Sequence, residues 1–562
     1  MRSQIFLIIV FSLIALWPFF KTGYFESHDG EWMVIRFSAF HQTLVSGQIP
    51  VRFVDRLNNN YGYPVLNFLY PLPFYLAEIP KILGFGFVDS IKIVFVISTV
   101  ASAVAMFWAL SQVFYKWASF TGAILYIFAP YRFVDLYVRG SLGEIVAFVF
   151  LPLIFGAIFK IAKDQKIFLP VMAFLISFLI LSHNVIAVIF LPFLLVVSLI
   201  IIKKEKWQII SSFVAGILIA SFFWIPAVYD LKFVKLSEIK VSNVVDHLVG
   251  IRELTVPSWG YGPRPIGLES FSPQVGLIAL AIVFSVLYLR FTKKTGEKLI
   301  NFMLIIFTSS FFLMTKYSLS FWQYIPGIDI IQFPWRFLSL SSFFLMTKYS
   351  LSFWQYIPGI DIIQFPWRFL SLNIFIAAFL VAYVINHVKE QKLIAIIIVL
   401  AAIISTIVYT KPKTFVNRDD GFYSTNEDST TVRDEYLPLW VKEKPKSRAN
   451  QKIEIISGDA QITSSEIKQT NYKAAITAQN DSTIQINTIY FPGWQVKIDG
   501  RKTSIDYQNQ NGLITFQLPQ GVHEVIIKYN KTPVHLASEI ISLVAIIVTG
   551  SYLYNLWRKQ NS

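Results

Sequence analysis

The sequence contains no cysteine, so disulfide bonds, thiol catalysis and cysteine-ligated metal sites are excluded. It is also poor in charge, because only 15% of its 562 residues are Asp, Glu, Lys or Arg, against about a quarter in soluble domains. Apolar residues make up 55% of the chain and aromatic residues 16%. So much apolar surface has to face something other than water, which excludes a soluble enzyme, a secreted disulfide scaffold and a nucleic-acid-binding module.

Long apolar runs indicate what that surface faces. The run at 184–202 is long enough to cross roughly 30 Å of hydrocarbon as a helix, and so is the run at 208–228. We therefore predict an all-α multi-pass membrane protein with about twelve transmembrane helices. The predicted spans are 4–20, 91–113, 117–130, 142–159, 167–182, 184–202, 208–228, 274–290, 299–314, 369–386, 393–410 and 535–556.

The distribution of basic residues predicts the orientation of these spans. With the N-terminus in the cytoplasm, the cytoplasmic segments hold 16 Lys and Arg against four acids, which is the positive-inside bias. Both termini are therefore predicted to be cytoplasmic, and much of the net charge of +15 reports topology and not a ligand. The long connections at 21–90, 229–273, 315–368 and 411–534 are then predicted to lie outside the cell membrane.

The C-terminal part of the chain differs from the rest. We expect residues 1–410 to form the membrane domain and 411–534 an extracytoplasmic domain. From about 451 onward, short alternating runs are separated by turn signals such as DG at 499–500. This pattern predicts an antiparallel, β-sandwich-like domain before the last helix and cytoplasmic tail at 535–562.

One stretch of 32 residues occurs twice without a single change, at 309–340 and at 341–372. Solenoid repeats diverge and recur more than twice, so this is not a repeat architecture. The two copies are explained by a very recent duplication or by a sequence-assembly error, and we favour the error. The start of the first copy continues the preceding span, and the end of the second leads into the span at 369–386.

The first outer loop carries the most informative motifs. It contains SHDGEWMVIRF at 27–37, SGQIPVRF at 46–53 and GYPVLNFLYPLPFYL at 62–76. The apolar positions of 32–45 recur at helical spacing, and 65–84 is a proline-punctuated, aromatic stretch. Both patterns favour amphipathic helices lying at the membrane interface, where a lipid-linked phosphate meets water.

These motifs resemble the YfhO-like bacterial membrane proteins of the GT-C superfamily, whose glycosyltransferases use polyprenyl-phosphate sugars. The matching stretches elsewhere are YVRGSLGEIVA at 137–147, LSHN at 181–184, QFPWRFL at 332–338 or 364–370, YFPGWQVKIDG at 490–500 and LPQGVHEVIIKY at 518–529. The resemblance implies a GT-C-like fold. It also implies inverting transfer of a sugar from a polyprenyl-phosphate donor to an envelope glycan, lipid or protein on the outer face.

Such a transfer needs a base that takes the proton of the acceptor hydroxyl. In the proteins that the chain resembles, this base is a carboxylate early in the first outer loop, and the matching position is Asp29. Glu26 and Glu31 are the alternative acids. The structural alternative for Asp29 is a solvated loop acid, or an N-cap for the helix predicted to start near residue 31.

The leaving phosphate needs cations, and arginine binds phosphate oxygens with a planar, two-pronged group. The candidates are Arg139 and the arginine of QFPWRFL, which is Arg336 or Arg368, followed by Arg36 and Arg52. For each of them the alternative is an arginine that extends to the lipid headgroups from a helix end.

Three further residues are candidates for contact with the substrate. Glu144 could pair with Arg139, and such a pair would serve helix packing as readily as catalysis. His183 and Asn184 lie at a predicted tight outer turn, where a hydrogen-bonded turn is the alternative to a substrate contact. We also expect a cavity that opens outward, walled by the helices of the first loop, with Asp29 at its rim.

Cofactor signals are weak. His28, Asp29 and Glu31 could form part of a metal site, but no second cluster at a convincing spacing completes it. We predict no cofactor and no metal ligand, with a divalent metal left open. The expected partners are the lipid-linked donor, the envelope acceptor and membrane lipids, with no nucleic acid. Two rival functions remain, a transporter or flippase for a lipid-linked sugar and a non-enzymatic envelope assembly protein.

Overall fold

The computed structural model describes residues 2–561 except 238–246, 266, 268–269, 294–296, 319–365 and 432. The helices are α1 Arg2–Ala15, α2 Gly30–Val45, α3 Val65–Phe68, α4 Leu72–Ile82, α5 Phe87–Leu110, α6 Lys116–Ile127, α7 Pro130–Phe133, α8 Leu142–Ala162, α9 Phe168–Ser182, α10 Asn184–Ile201, α11 Lys206–Ile219, α12 Ser221–Asp230, α13 Ile251–Thr255, α14 Leu277–Lys293, α15 Lys298–Met314, α16 Leu370–Asn386, α17 Gln391–Thr406, α18 Asp420–Thr425 and α19 Pro533–Asn561. A π-helical turn, Val134–Arg139, follows α7, and a 3₁₀ turn, Pro366–Phe369, precedes α16.

Every predicted span contains a helix, but the helix lengths do not support twelve independent crossings. Among the described residues, six helices are long and apolar enough to cross a membrane, or seven if one bent pair counts as a span. These are α5, α8, α10, α16 with its 3₁₀ turn, α17 as far as Tyr409, and α19. The coarser prediction of a helix-rich chain with several apolar helices is confirmed, whereas twelve spans and their orientation are not.

Proline explains part of the difference. The run at 4–20 becomes a 14-residue helix followed by a 3₁₀ turn that contains Pro18. The run at 117–130 becomes α6, which ends at Ile127, shortly before Pro130 begins α7. Proline lacks an amide donor and disfavours helix in the residue before it, so an apolar run containing proline overestimates the helix.

The bent pair consists of α11 and α12, which meet at an angle of 65°. The last helix supplies hydrogen bonds at the break. The Ser542 hydroxyl accepts from the Phe222 amide at 2.8 Å and lies 2.9 Å from the Ile219 carbonyl. The backbone groups released by the bend are therefore bound by protein, as they must be in an apolar environment.

The C-terminal region forms the predicted β structure. Its strands are β3 Ile453–Ser457, β4 Ala460–Lys468, β5 Asn471–Ala478, β6 Ser482–Ile489, β7 Trp494–Ile498, β8 Arg501–Thr503, β9 Leu513–Leu518 and β10 Gly521–Tyr529. They pair antiparallel in two sheets, ordered β4-β5-β10-β7-β8 and β3-β6-β9. Alternate residues such as Ile476, Ile484 and Ile527 are fully buried, which gives the apolar core that the period-two pattern predicts.

The polar segment before this region packs on the first outer loop. Strands β1 Tyr24–Phe25 and β2 Phe415–Val416 pair antiparallel, and the Ser38 hydroxyl of α2 donates to the Tyr423 carbonyl at 2.7 Å. Helix α2 forms where its spacing predicted a helix. More than one face of α2 is buried, because residues 415–430 cover part of it, which a purely interfacial helix would not show.

Candidate functional site

The backbone of the first outer loop is fixed against the turn that ends in Arg139. The Asp29 amide donates to the Arg139 carbonyl at 2.8 Å. Gly140 closes this turn at a φ of +62°, and a Cβ atom there would lie 2.7 Å from the Gly30 amide nitrogen. Only glycine permits both the left-handed backbone and this close approach, so Gly140 places Asp29 beside Arg139.

Asp29 is the N-cap residue of α2, but its side chain does not perform the capping. The Ser27 hydroxyl instead accepts the Gly30 amide at 3.1 Å. The half-buried Asp29 carboxylate makes no hydrogen bond or ion pair with any residue that the structure describes. A carboxylate placed this way has its lone pairs available to a bound molecule.

The two alternative acids, Glu26 and Glu31, contact residues that lie just before and just after β2. Glu26 lies 3.1 Å from Lys413 Nζ. Glu31 accepts from the Tyr423 hydroxyl at 3.1 Å and lies 3.3 Å from Arg418 Nη1. The three acids of the first loop therefore differ in their contacts, and Asp29 is the one whose carboxylate has no described partner.

Next to Asp29 lies a buried group of charges centred on Glu144, at the first turn of α8. We call it the Glu144 cluster, and it consists of Arg132, Asp135, Arg139, Glu144, His183 and Arg368. Arg139 Nη1 lies 2.8 Å from Glu144 Oε1, and Arg368 Nε lies 3.4 Å from the same atom. The Tyr131 hydroxyl donates to Glu144 Oε2 at 2.9 Å. Glu144 thus joins two of the predicted arginines, which are far apart in the sequence.

The sequence analysis missed two members of this cluster, Arg132 and Asp135. Both are fully buried, and Asp135 forms an ion pair with Arg139 within the π-helical turn. Arg132 donates to Ser102 Oγ at 3.0 Å, and its Nε and Nη1 lack a hydrogen-bond partner in the described part of the chain. Its guanidinium lies over the Phe148 ring, 4.1 Å from the ring centre. The signal that could have found Asp135 is its i, i+4 spacing to Arg139, whereas Arg132 has no such signal.

Tyr70 lies between Asp29 and the Glu144 cluster. Its ring stacks on His183 at 4.8 Å, and Gly143 accommodates it, since a Cβ atom there would lie 2.3 Å from that ring. Burial raises the pKa of Tyr70, and the negative charges of Asp29 and Glu144 raise it further. Asp29 also lies within electrostatic reach of the Arg139 guanidinium without pairing with it.

The remaining candidates take different positions. Arg36 donates from Nε to Thr430 Oγ1 at 3.1 Å. Arg52 donates to Asn67 at 3.2 Å and lies 3.6 Å from Glu539 of α19, so it belongs to a separate group. His183 caps α10 through its ring, lies 3.8 Å from Glu144 and joins the cluster.

The last two candidates are Asn184 and Arg336. Asn184 accepts the Val185 amide at 3.0 Å, a local turn contact. Arg336 lies outside the described residues, as does most of the duplicated stretch, so only the arginine of the second copy, Arg368, is placed beside Glu144. The roles of all these residues stay predictions.

Two other features bear on binding. His28 Nε2 lies 3.0 Å from the Tyr261 carbonyl, and burial lowers the pKa of this imidazole. The described residues contain no group of three or more His, Asp and Glu that could hold a metal ion. One cavity of about 80 Å³ lies between α6, α14 and α17 and is not lined by Asp29, so the predicted outward cavity around Asp29 stays a prediction.

Two of the solved structures to which the chain is similar are described as an arabinofuranosyltransferase and an oligosaccharyltransferase. The chain is similar to the arabinofuranosyltransferase AftD from Mycobacteria, with a TM-score of 0.43 and 12% identity, over 75% of this chain and 28% of that one. It is also similar to the apo form of the Archaeoglobus fulgidus oligosaccharyltransferase, with a TM-score of 0.40 and 12% identity. That similarity covers 77% of this chain and 56% of the other.

Sequence comparisons find one relative and one family. An uncharacterized protein of Lactococcus lactis subsp. cremoris (strain MG1363) is 26% identical over 246 residues, which cover 41% of this chain and 40% of the relative's length. The model of the family described as bacterial membrane protein YfhO matches residues 443–542, which hold strands β3 to β10 and the start of α19. The resemblance to the YfhO membrane proteins is therefore confirmed over these residues.

Proposed function

We propose that this chain is a membrane glycosyltransferase that moves a sugar from a polyprenyl-phosphate donor to an acceptor hydroxyl. The observation that carries the proposal is the placement of Asp29. Its half-buried carboxylate has no described partner, and its backbone is bound to Arg139 at the edge of the arginine-rich Glu144 cluster. A base and a cation that can flank the sugar ring without pairing with each other are what such a transfer requires.

Asp29 acts as the general base in this proposal. Its carboxylate accepts the proton of the acceptor hydroxyl while the hydroxyl oxygen attacks the anomeric carbon of the donor sugar. The bond between that carbon and the phosphate oxygen breaks on the opposite side, and its electron pair stays on the phosphate. Attack and departure on opposite sides invert the configuration of the sugar, so base and cation should flank the sugar ring.

The Glu144 cluster receives the phosphate in this proposal. It contains three arginines, Arg132, Arg139 and Arg368, against two carboxylates, so its formal charge is positive when His183 is neutral. A phosphate that approaches Arg139 and Arg368 meets planar guanidinium groups already oriented by Glu144. Burial strengthens this attraction, because the low dielectric of the interior screens charges less than water does.

The donor side follows from the membrane. A lipid-linked phosphate enters from the bilayer, and we propose that the site faces the outside, with both termini in the cytoplasm. The acceptor is then a glycan, lipid or protein of the envelope. Tags placed near residues 245 and 470 should be reachable in intact cells, and protection of either tag would overturn this orientation.

One observation favours the rival reading as a transporter for a lipid-linked sugar. Helices α11 and α12 form a broken apolar pair, and broken helices line substrate sites in many transporters. At this break, however, Ser542 binds the Phe222 amide, so these backbone groups are not left for an ion or a substrate. A transporter would move the donor without cleaving its sugar–phosphate bond, which the assay below distinguishes.

The test is to offer membranes containing the chain a polyprenyl-phosphate donor with a radiolabelled sugar, and to identify the labelled product. We expect label to pass to an acceptor with release of polyprenyl phosphate, and the Asp29→Asn variant to lose this transfer at equal expression. Glu26→Gln serves as the matched control, since Glu26 is paired with Lys413. Intact donor in every sample, or equal transfer by Asp29→Asn, would contradict the proposal.

A further inference from the structure

A second cavity lies at the end of the helix bundle opposite Asp29. It has a volume of about 390 Å³ and lies at the turn between α5 and α6, next to the start of α17. Helix α5 leads away from the outer loops over 24 residues, which correspond to about 36 Å at 1.5 Å per residue. The lining residues are Phe107, Ser111, Phe114, Tyr115, Lys116, Trp117 and Gln391.

The charged residue in the lining of this cavity is a lysine. Lys116 belongs to its lining, and Lys392 lies at its edge, with Nζ 5.8 Å from the centre of the Trp117 ring. Lys163 donates to the Gln112 carbonyl at 2.5 Å, directly beside the lining residue Ser111. In the described part of the chain, no carboxylate lies within ion-pair distance of Lys116 or Lys392.

The walls of the cavity are aromatic. Phe107, Phe114 and Trp117 supply apolar surface, and Tyr115 is 68% exposed beside them. Aromatic rings of this kind concentrate where hydrocarbon meets headgroups. Leu393, in the first turn of α17 two residues after the lining residue Gln391, is 55% exposed and adds apolar surface near the opening.

We propose that this cavity binds the headgroup of an anionic phospholipid in the leaflet opposite the transfer site. The phosphate would lie against Lys116 and Lys392, and the acyl chains would follow the exposed apolar surface beside α6 and α17. Positive-inside bias accounts for lysines at this end of the bundle, but it does not require two of them to meet at an aromatic cavity. The volume falls in the range of about 300–1,000 Å³ that small-molecule sites have.

The experiment titrates the purified full chain, in a neutral detergent, with phosphatidylglycerol and with phosphatidylcholine of the same acyl chains. Bound lipid is counted by native mass spectrometry. Attraction of about 1 kcal/mol per lysine corresponds to roughly fivefold in affinity, so the Lys116→Gln/Lys392→Gln variant should bind phosphatidylglycerol about 25-fold more weakly. The matched control is Lys203→Gln/Lys389→Gln, which removes two lysines of the same end of the bundle that do not line the cavity.

A third titration adds inorganic phosphate and distinguishes a lipid headgroup from free phosphate as the ligand. The proposal expects saturable binding of phosphatidylglycerol that phosphate at equal concentration does not displace, and that the control variant retains. Equal binding of the two lipids, unchanged binding by the Lys116 and Lys392 variant, or displacement by phosphate alone would overturn it. If the main variant does not fold, Lys392→Gln alone should still weaken binding about fivefold, and no change there would also overturn the proposal.

Discussion

Two buried groups of charges in this chain are built differently. In the pair Asp55–Lys452, which joins the first loop to the β region, Lys452 Nζ lies 2.7 Å from Asp55 and donates to the Asn60 carbonyl at 2.6 Å. The Tyr472 hydroxyl completes it by donating to Asp55. In the Glu144 cluster, by contrast, the three arginines exceed the two carboxylates, and two donors of Arg132 lack a described partner.

This difference is the one expected between a charge group that stabilises the fold and a charge group that binds a ligand. A buried polar network whose members all have partners rigidifies the fold and leaves nothing for a ligand. A network with unpaired cationic donors is costly in an empty protein, and its cost is offset when an anion binds. We therefore interpret the Asp55–Lys452 pair as holding the β region on the first loop, and phosphate binding by the Glu144 cluster stays a proposal.

The largest effect on stability should come from breaking the satisfied pair. Lys452→Met leaves Asp55 as an uncompensated buried charge, which costs about 3–5 kcal/mol. The melting temperature should fall, while transfer per folded molecule stays unchanged. The double variant Asp55→Leu/Lys452→Met should recover most of the loss, because it removes both charges. A Lys452→Met protein with an unchanged melting temperature would contradict the stabilising role of the Asp55–Lys452 pair.

Arg132→Met should have the opposite signature. Replacing a buried guanidinium that has two unbonded N–H groups with an apolar side chain of similar length, which can still pack on Phe148, should leave the melting temperature unchanged or raise it. Sugar transfer should fall by roughly 10- to 100-fold, about 1.4–2.7 kcal/mol, because one cation near the phosphate is lost. The measurements are thermal unfolding and initial transfer rate in the same preparation. A marked loss of stability with normal transfer would show that Arg132 is purely structural.

A smaller effect is expected where the first loop meets the turn after Arg139. Gly140→Ala places a Cβ atom 2.7 Å from the Gly30 amide in a left-handed backbone, which should cost about 1–2 kcal/mol and displace Asp29. Gly84→Ala is the control, since Gly84 has a φ of +95° and open space around its Cβ position. Both variants should lose some stability, but only Gly140→Ala should lower the transfer rate. Equal transfer rates of the two variants would show that the contact at Gly140 does not position Asp29 for transfer.

Deleting one copy of the duplicated stretch should change least. Because the flanks of one copy account for both, a chain without 341–372 should still insert into membranes and still transfer sugar. The deletion joins residue 340 to residue 373 and leaves one QFPWRFL motif next to α16, with its arginine in the position of Arg368. Membrane fractionation and the transfer assay measure the outcome. A folded but inactive protein would show that the second copy has a function.

Residue patterns predicted much of this fold for identifiable reasons. The β region followed from period-two alternation and turn residues, and α2 from the helical spacing of 32–45. The number of spans did not follow, because hydropathy counts apolar residues on both sides of Pro18 and Pro130 alike. The pairing of Tyr24–Phe25 with Phe415–Val416 joins residues almost 400 positions apart, which no local pattern contains.

The candidate site was also predicted from the sequence only in part. The resemblance matched Asp29 to the base and left Glu26 and Glu31 as alternatives, but the sequence could not show how the contacts of the three acids differ. The distinction rests on Lys413, Arg418 and Tyr423, which come from a distant segment and engage the two glutamates. Arg132 escaped notice because a buried arginine at a helix turn has no distinctive spacing of its own.

The most direct test of the account measures turnover and donor binding separately in the purified, reconstituted chain. The account predicts that Asp29→Asn lowers turnover by roughly 10²- to 10⁴-fold, the usual contribution of a general base, while donor binding stays within about threefold of the unmodified chain. Glu26→Gln should leave both quantities nearly unchanged, because Glu26 forms only a half-exposed ion pair. Turnover by Asp29→Asn equal to that of the unmodified chain would contradict the assignment of Asp29 as the base.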